Sequence, residues 1–137
     1  MADLQDISYA LVQVAHNFGA TAVVGSAVFA LQRGVHAPAQ RKCAWVAALG
    51  WATQALSGMG FGAITYYYYA KPPDIHGLAL GALYFKMLCA TCALAVLAWY
   101  LLTDKNNTSI FRHHVWQGLF ALGTSALTAA AFLRWFS

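Results

Sequence analysis

Four long apolar stretches, at about residues 7–31, 44–69, 77–102 and 110–136, leave this chain few folds to choose from. Each is roughly 25 residues long, more than the ~20 that a helix needs to cross the hydrocarbon core of a bilayer. Transmembrane strands would show ~10-residue segments of alternating apolar and polar side chains, and none occurs. Composition agrees. Of 137 residues, 61% are hydrophobic and 9% charged, against about 25% charged in a soluble domain. That balance excludes a soluble enzyme, a disordered tail, a disulfide-stapled secreted scaffold and a nucleic-acid-binding domain.

The breaks between the stretches are short and chemically legible. Arg33-Gly34-Val35-His36-Ala37-Pro38 closes the first, and Lys71-Pro72-Pro73-Asp74 the second. Asp104-Lys105-Asn106-Asn107-Thr108-Ser109 closes the third, with Thr108 or Ser109 suited to cap the fourth helix. Connections this short make sequential helices antiparallel neighbours. The expected fold is therefore an all-α integral membrane protein, one membrane domain over 1–137, arranged as an antiparallel up-down-up-down four-transmembrane-helix bundle.

Orientation follows from the basic residues. Arg33, Arg41, Lys42, Lys105 and Arg112 fall on one side of such a bundle, and Lys71 and Arg134 on the other. The positive-inside rule then puts the first and third loops in the cytoplasm and both termini on the outer, periplasmic side of an inner membrane. The acidic start (Asp3, Asp6) lacks the basic flank of a signal peptide, so the first span is expected to be retained. The run Tyr66-Tyr67-Tyr68-Tyr69 suits an outer interface, and Trp45, Trp99, Trp116 and Trp135 also fall near helix ends, with Trp51 deeper.

Small residues recur at spacing four: Gly58 and Gly62, Gly77 and Gly81, the set Ala22, Ser26 and Ala30, and the set Ala121, Ser125 and Ala129. Such stripes let backbones approach closely where lipid removes the hydrophobic drive between helices. They serve the bundle itself, self-association, or docking onto other membrane subunits.

Polar side chains inside the spans are the functional candidates, because hydrocarbon makes them costly. Gln13, His16, Asn17 and Thr21 share one face of the first helix. Lys86 lies well inside the third, Thr53, Gln54 and Ser57 are central in the second, and Thr124, Ser125 and Thr128 occupy the fourth. Counted at 1.5 Å per residue from the span ends, His16, Lys86, Gly58 and Ser125 all lie roughly 15–17 Å below the outer surface. A polar layer shared by four helices reads as a chamber, with Gln13, His16, Asn17, Lys86 and Ser125 as its candidate lining.

A buried imidazole in a helical bundle suits axial ligation of haem iron. His16 has no second histidine at its depth, so Lys86 is left as second ligand, as partner of a propionate, or as contact for an anionic or quinone head group. A lower-ranked metal or propionate site is the cluster His36, His113 and His114 with Arg112. Cys89-Ala90-Thr91-Cys92 has CxxC spacing inside a helix, where two thiols share a face and suit packing better than redox chemistry. No carboxylate lies inside a span, which argues against a carboxylate proton relay.

A four-span layout with His16 on the first helix and Lys86 on the third resembles the HemJ-type protoporphyrinogen oxidases and the related CopD-like copper-resistance membrane domains. The resemblance implies functional roles for His16 and Lys86, and its HemJ branch implies haem b. The expectation is thus a small inner-membrane redox subunit that binds haem b or contacts quinone and passes electrons near the outer leaflet. Two other readings are a cofactor-free accessory subunit of a larger respiratory or photosynthetic complex, and a small metal or metabolite transporter.

Overall fold

The computed structural model describes residues 3–103 and 108–136, and all of its regular structure is helical. The helices are α1 (Leu4–Ala30), α2 (Ala37–Tyr69), α3 (Gly77–Thr103) and α4 (Ser109–Phe136). Each matches one apolar stretch. The third break from Asp104 to Asn107, with the charge of Lys105, lies outside the described residues.

Helix ends follow from local chemistry. Asp3 caps α1, its carboxylate accepting from the Leu4 amide at 2.8 Å. His36 caps α2, Nδ1 accepting from the Ala39 amide at 3.3 Å, and Pro38 sits in the first turn where its missing N–H costs nothing. As a result α2 starts at Ala37, seven residues before the apolar stretch, and carries Gln40, Arg41 and Lys42 on the helix. It ends at Ala70 in the left-handed region (φ 51°), immediately before Lys71-Pro72-Pro73. Thr108 caps α4, its hydroxyl accepting from the Phe111 amide.

The helices α1, α3 and α4 are long and apolar enough to cross a membrane. The longest helix, α2, is not among them, because Gln40, Arg41, Lys42, Thr53, Gln54, Ser57 and the tyrosine run dilute its apolar character. Large apolar side chains cover the outside: Phe18, Leu102 and Trp135 are 72%, 85% and 84% exposed. Exposed apolar side chains in such number mark a surface that meets another apolar phase or a partner.

Contacts along α1 and α2 ascend one helix as they descend the other. Gln5 donates to the Tyr69 hydroxyl at 2.7 Å and Tyr9 to Thr65 at 2.8 Å, His16 meets Ser57, and Gln40 donates to the Ala30 carbonyl at 3.0 Å. In α3 and α4, Gly77 and Leu78 share a groove with Phe132, while Tyr100 packs against Trp116 with ring centroids 5.9 Å apart. One end of the molecule therefore holds the run Tyr66–Tyr69, and the opposite end holds Arg41, Arg112 and Tyr100. The helices α1 and α2 form one close pair and α3 and α4 the other, and the pairs meet α1 to α4 and α2 to α3.

Among the glycines, Gly19 and Gly50 mark the closest approach of two helix backbones. A Cβ at Gly50 would stand 3.0 Å from the Gly19 carbonyl oxygen and 3.0 Å from the Val23 amide nitrogen. The Ala22, Ser26, Ala30 stripe lies beside it, with Ser26 and Ala30 buried. The two glycine stripes do not serve the bundle itself. A Cβ at Gly58, Gly62, Gly77 or Gly81 would meet nothing within 4 Å, so these glycines bring no described helices together. Trp116 also departs from its expected interfacial place: it is fully buried against Tyr100, whereas Trp45, Trp99 and Trp135 are exposed.

Candidate functional site

Half-way along the bundle, the described structure joins His16 and Lys86, the two basic residues that lie far from any helix end. Lys86 Nζ lies 2.9 Å from His16 Nε2, although α1 and α3 are not among the closely packed helix pairs. The long lysine stem closes the distance that the helices leave open.

The second ring nitrogen is also engaged. His16 Nδ1 is 2.6 Å from Ser57 Oγ on α2, and that hydroxyl donates to the Thr53 carbonyl at 2.5 Å. The ammonium of Lys86 offers only protons, so Nε2 accepts from it. Because the Ser57 proton points to Thr53, Nδ1 carries the ring proton and donates to Ser57. The three links run in one direction: Lys86 to His16 to Ser57 to the backbone of α2. Gln54, 7% exposed, donates to the His16 carbonyl and holds α1 against α2 at the same level. Phe61 closes one side of the imidazole edge-on, with centroids 5.7 Å apart.

Chemically, this is a neutral imidazole between a cation and a hydroxyl, with no acidic partner. The acidic residues among those described are Asp3, Asp6 and Asp74, near the helix ends, and no described ion pair engages Lys86. Lysine keeps two further N–H donors beyond the one given to His16. They favour a carbonyl oxygen or an anion brought up to this point.

Among the described residues two cavities are present, a small one among all four helices and an open groove along the α3–α4 seam. The small one, of about 10 Å³, is bounded by Lys86, Gln54, Trp51, Gly123 and Ala126 among others. The groove, of about 690 Å³, runs from Gly77 and Phe132 at the Tyr66–Tyr69 end to Phe85 and Ser125.

The other candidates separate from this centre. Gln13 donates to Asn17 at 2.7 Å along the surface of α1, whereas the His16 ring is bonded to Ser57 and Lys86. Ser125 lies at the expected depth but lines the open groove, and Gly58 faces away from the bundle. Nor do His36, His113 and His114 form a metal site: His36 is spent on capping α2, and His114 Nδ1 contacts the Ile110 carbonyl at 2.8 Å. Among the described residues no group of three or more His, Cys, Asp or Glu is placed to hold a metal ion. Both CxxC cysteines are free thiols, Cys89 buried and Cys92 exposed.

Ser57 and Gln54 are the partners that sequence reasoning did not assign to the site. Their central position in a span was the available signal, and the direction they face was not readable.

The residues fit haem b poorly. An axial imidazole needs one nitrogen turned to the iron with a porphyrin-sized slot beside it. Here both nitrogens of His16 are engaged, and the enclosed space next to Lys86 is about 10 Å³. Compared with family models, with curated proteins and with solved structures, the chain matches none.

Proposed function

We propose that this chain is a small redox subunit of the inner membrane whose His16–Lys86 centre contacts the head group of a lipid-soluble quinone. In this reading it crosses the bilayer four times, up-down-up-down, with both termini on the outer side. Its partners are other membrane subunits that supply or accept electrons.

The observation that carries the reading is the 2.9 Å contact between Lys86 Nζ and His16 Nε2, braced on the far side by Ser57. A quinone head group exposes carbonyl oxygens that need donors, and it takes up protons when it is reduced. Lys86 has donors to spare, and His16 is held in a single tautomer by partners at both nitrogens, so it is positioned to pass or hold a proton. Haem b, which the family resemblance implies, would require Lys86 to leave His16 and the helices to part. Either group needs more room than the small cavity beside Lys86 gives, and quinone is favoured because it asks no nitrogen of His16 to leave its partner.

Purification in mild detergent, followed by solvent extraction and a reduced-minus-oxidised absorption spectrum, tests this. The expected result is co-purified quinone and no haem bands. Haem bands that vanish in His16→Ala would replace quinone by haem b as the cofactor. Neither quinone nor haem in folded protein would leave the cofactor-free accessory subunit as the better reading.

A further inference from the structure

We infer that the small cavity among the four helices is a water site, in which one buried water molecule bonds Lys86, Gln54 and Trp51 and adds a fourth member to the Lys86–His16–Ser57 chain. The site needs no quinone, because the fold itself has buried the groups that make it.

Three polar side chains border the cavity, and each has hydrogen-bonding capacity that its described partners leave over. Trp51 is 2% exposed, and its indole N–H has no partner among the described residues. Gln54 is 7% exposed and gives its Nε2 to the His16 carbonyl, which leaves Oε1 as an acceptor without a described donor. The two lie three residues apart on one face of α2. Lys86 gives one proton to His16 and keeps two more donors. A buried donor or acceptor without a partner is costly. An ammonium inside a span is costlier still, and water drawn in beside it is a usual remedy.

Size and chemistry both select water. The cavity volume, about 10 Å³, matches the ~10–15 Å³ that one water molecule requires. Buried water makes about three hydrogen bonds, and three are on offer here. Its oxygen accepts from Lys86 and from Trp51, and one of its protons goes to Gln54 Oε1. A halide would meet the Gln54 oxygen, and a metal cation would meet the ammonium. The other walls are apolar, with Ala20 and Val23 on α1 and Gly123, Ala126 and Leu127 on α4. The water therefore stands where all four helices meet, held by α2 and α3 alone.

The test uses the full chain in lipid bilayers, with nitrogen-15 in its tryptophan indoles. Solid-state NMR reads the transfer of magnetisation from water protons to each indole N–H. Trp116 is the internal control: it is fully buried, its Nε1 has no partner among the described residues, and it borders neither cavity. Ala126→Val narrows the cavity from α4, and Ala20→Val narrows it from α1. Both keep Lys86, so a loss of transfer separates a bound water from the lysine's own protons.

The expected result is transfer to Trp51 but not to Trp116 in wild type, and loss of the Trp51 transfer in each folded variant. Transfer to Trp51 no faster than to Trp116 would overturn the site, and wild type alone decides that point. Transfer that persists undiminished in either folded variant would also overturn it, because the water would then lie outside this cavity.

Discussion

His16 accepts a hydrogen bond from Lys86 at one ring nitrogen and donates from the other to Ser57, at 2.9 Å and 2.6 Å. The two partners sit on different helices and together select the tautomer with its proton on Nδ1. Removing one partner should therefore change the ring and not merely loosen it. In Lys86→Met, Nε2 loses its donor, the Ser57 hydroxyl can turn from Thr53 to Nδ1, and the ring proton should move to Nε2. Nitrogen-15 chemical shifts of His16 in bilayers read this directly. An Nδ1–H tautomer that persists in Lys86→Met would show that Lys86 does not set it.

The crossing at Gly19 and Gly50 should be the least forgiving backbone contact in the molecule. In Gly50→Ala the new methyl would press on the Gly19 carbonyl and the Val23 amide, both backbone atoms that can yield only by moving α1. Overpacking of this kind costs about 1–3 kcal/mol. Gly58→Ala, with open space around it, should be neutral or slightly stabilising. Thermal unfolding in detergent separates the two, and equal melting temperatures would place the α1–α2 contact elsewhere.

At the opposite end from Tyr66–Tyr69, Gln40 joins two helices through one buried amide. Its Nε2 donates to the Ala30 carbonyl at 3.0 Å, and its Oε1 accepts from Arg112 Nε at 3.0 Å. Gln40→Leu keeps the volume and leaves both groups without this partner, for a loss of about 1–3 kcal/mol. The loop at Arg33–Gly34 should also become more readily cut by trypsin. Wild-type stability with faster cleavage would mean that the bond orders the loop without supporting the bundle.

Much of this was legible in the residues. Apolar run length gives the four helices to within a few residues, except where His36 and Pro38 start α2 early. His16 and Lys86 stood out because each is an ionisable group inside an apolar run, and counting along the helices put them at one height. Height is not direction, however. Gly58 and Ser125 share that level yet face away from the pair, whereas Ser57 and Gln54, one turn or less from Gly58, face it. Rotation of a helix about its axis is set by side-chain packing, and a span that is apolar nearly all round gives little hint of it. For the same reason the Gly58–Gly62 and Gly77–Gly81 spacings stand out in sequence yet face open space, whereas the contact that the helices use falls at Gly19 and Gly50, single glycines on two different helices.

The most direct test of the centre is the affinity of a tailless benzoquinone for wild type and Lys86→Met in nanodiscs, with Cys92→Ser as an exposed control on the same helix. Loss of the ammonium removes the donor offered to the head group, and a hydrogen bond from a charged donor is worth about 1.5–3 kcal/mol. Binding should therefore weaken about tenfold or more in Lys86→Met, and Cys92→Ser should match wild type. Equal affinity of folded Lys86→Met and wild type would contradict a quinone contact at His16 and Lys86.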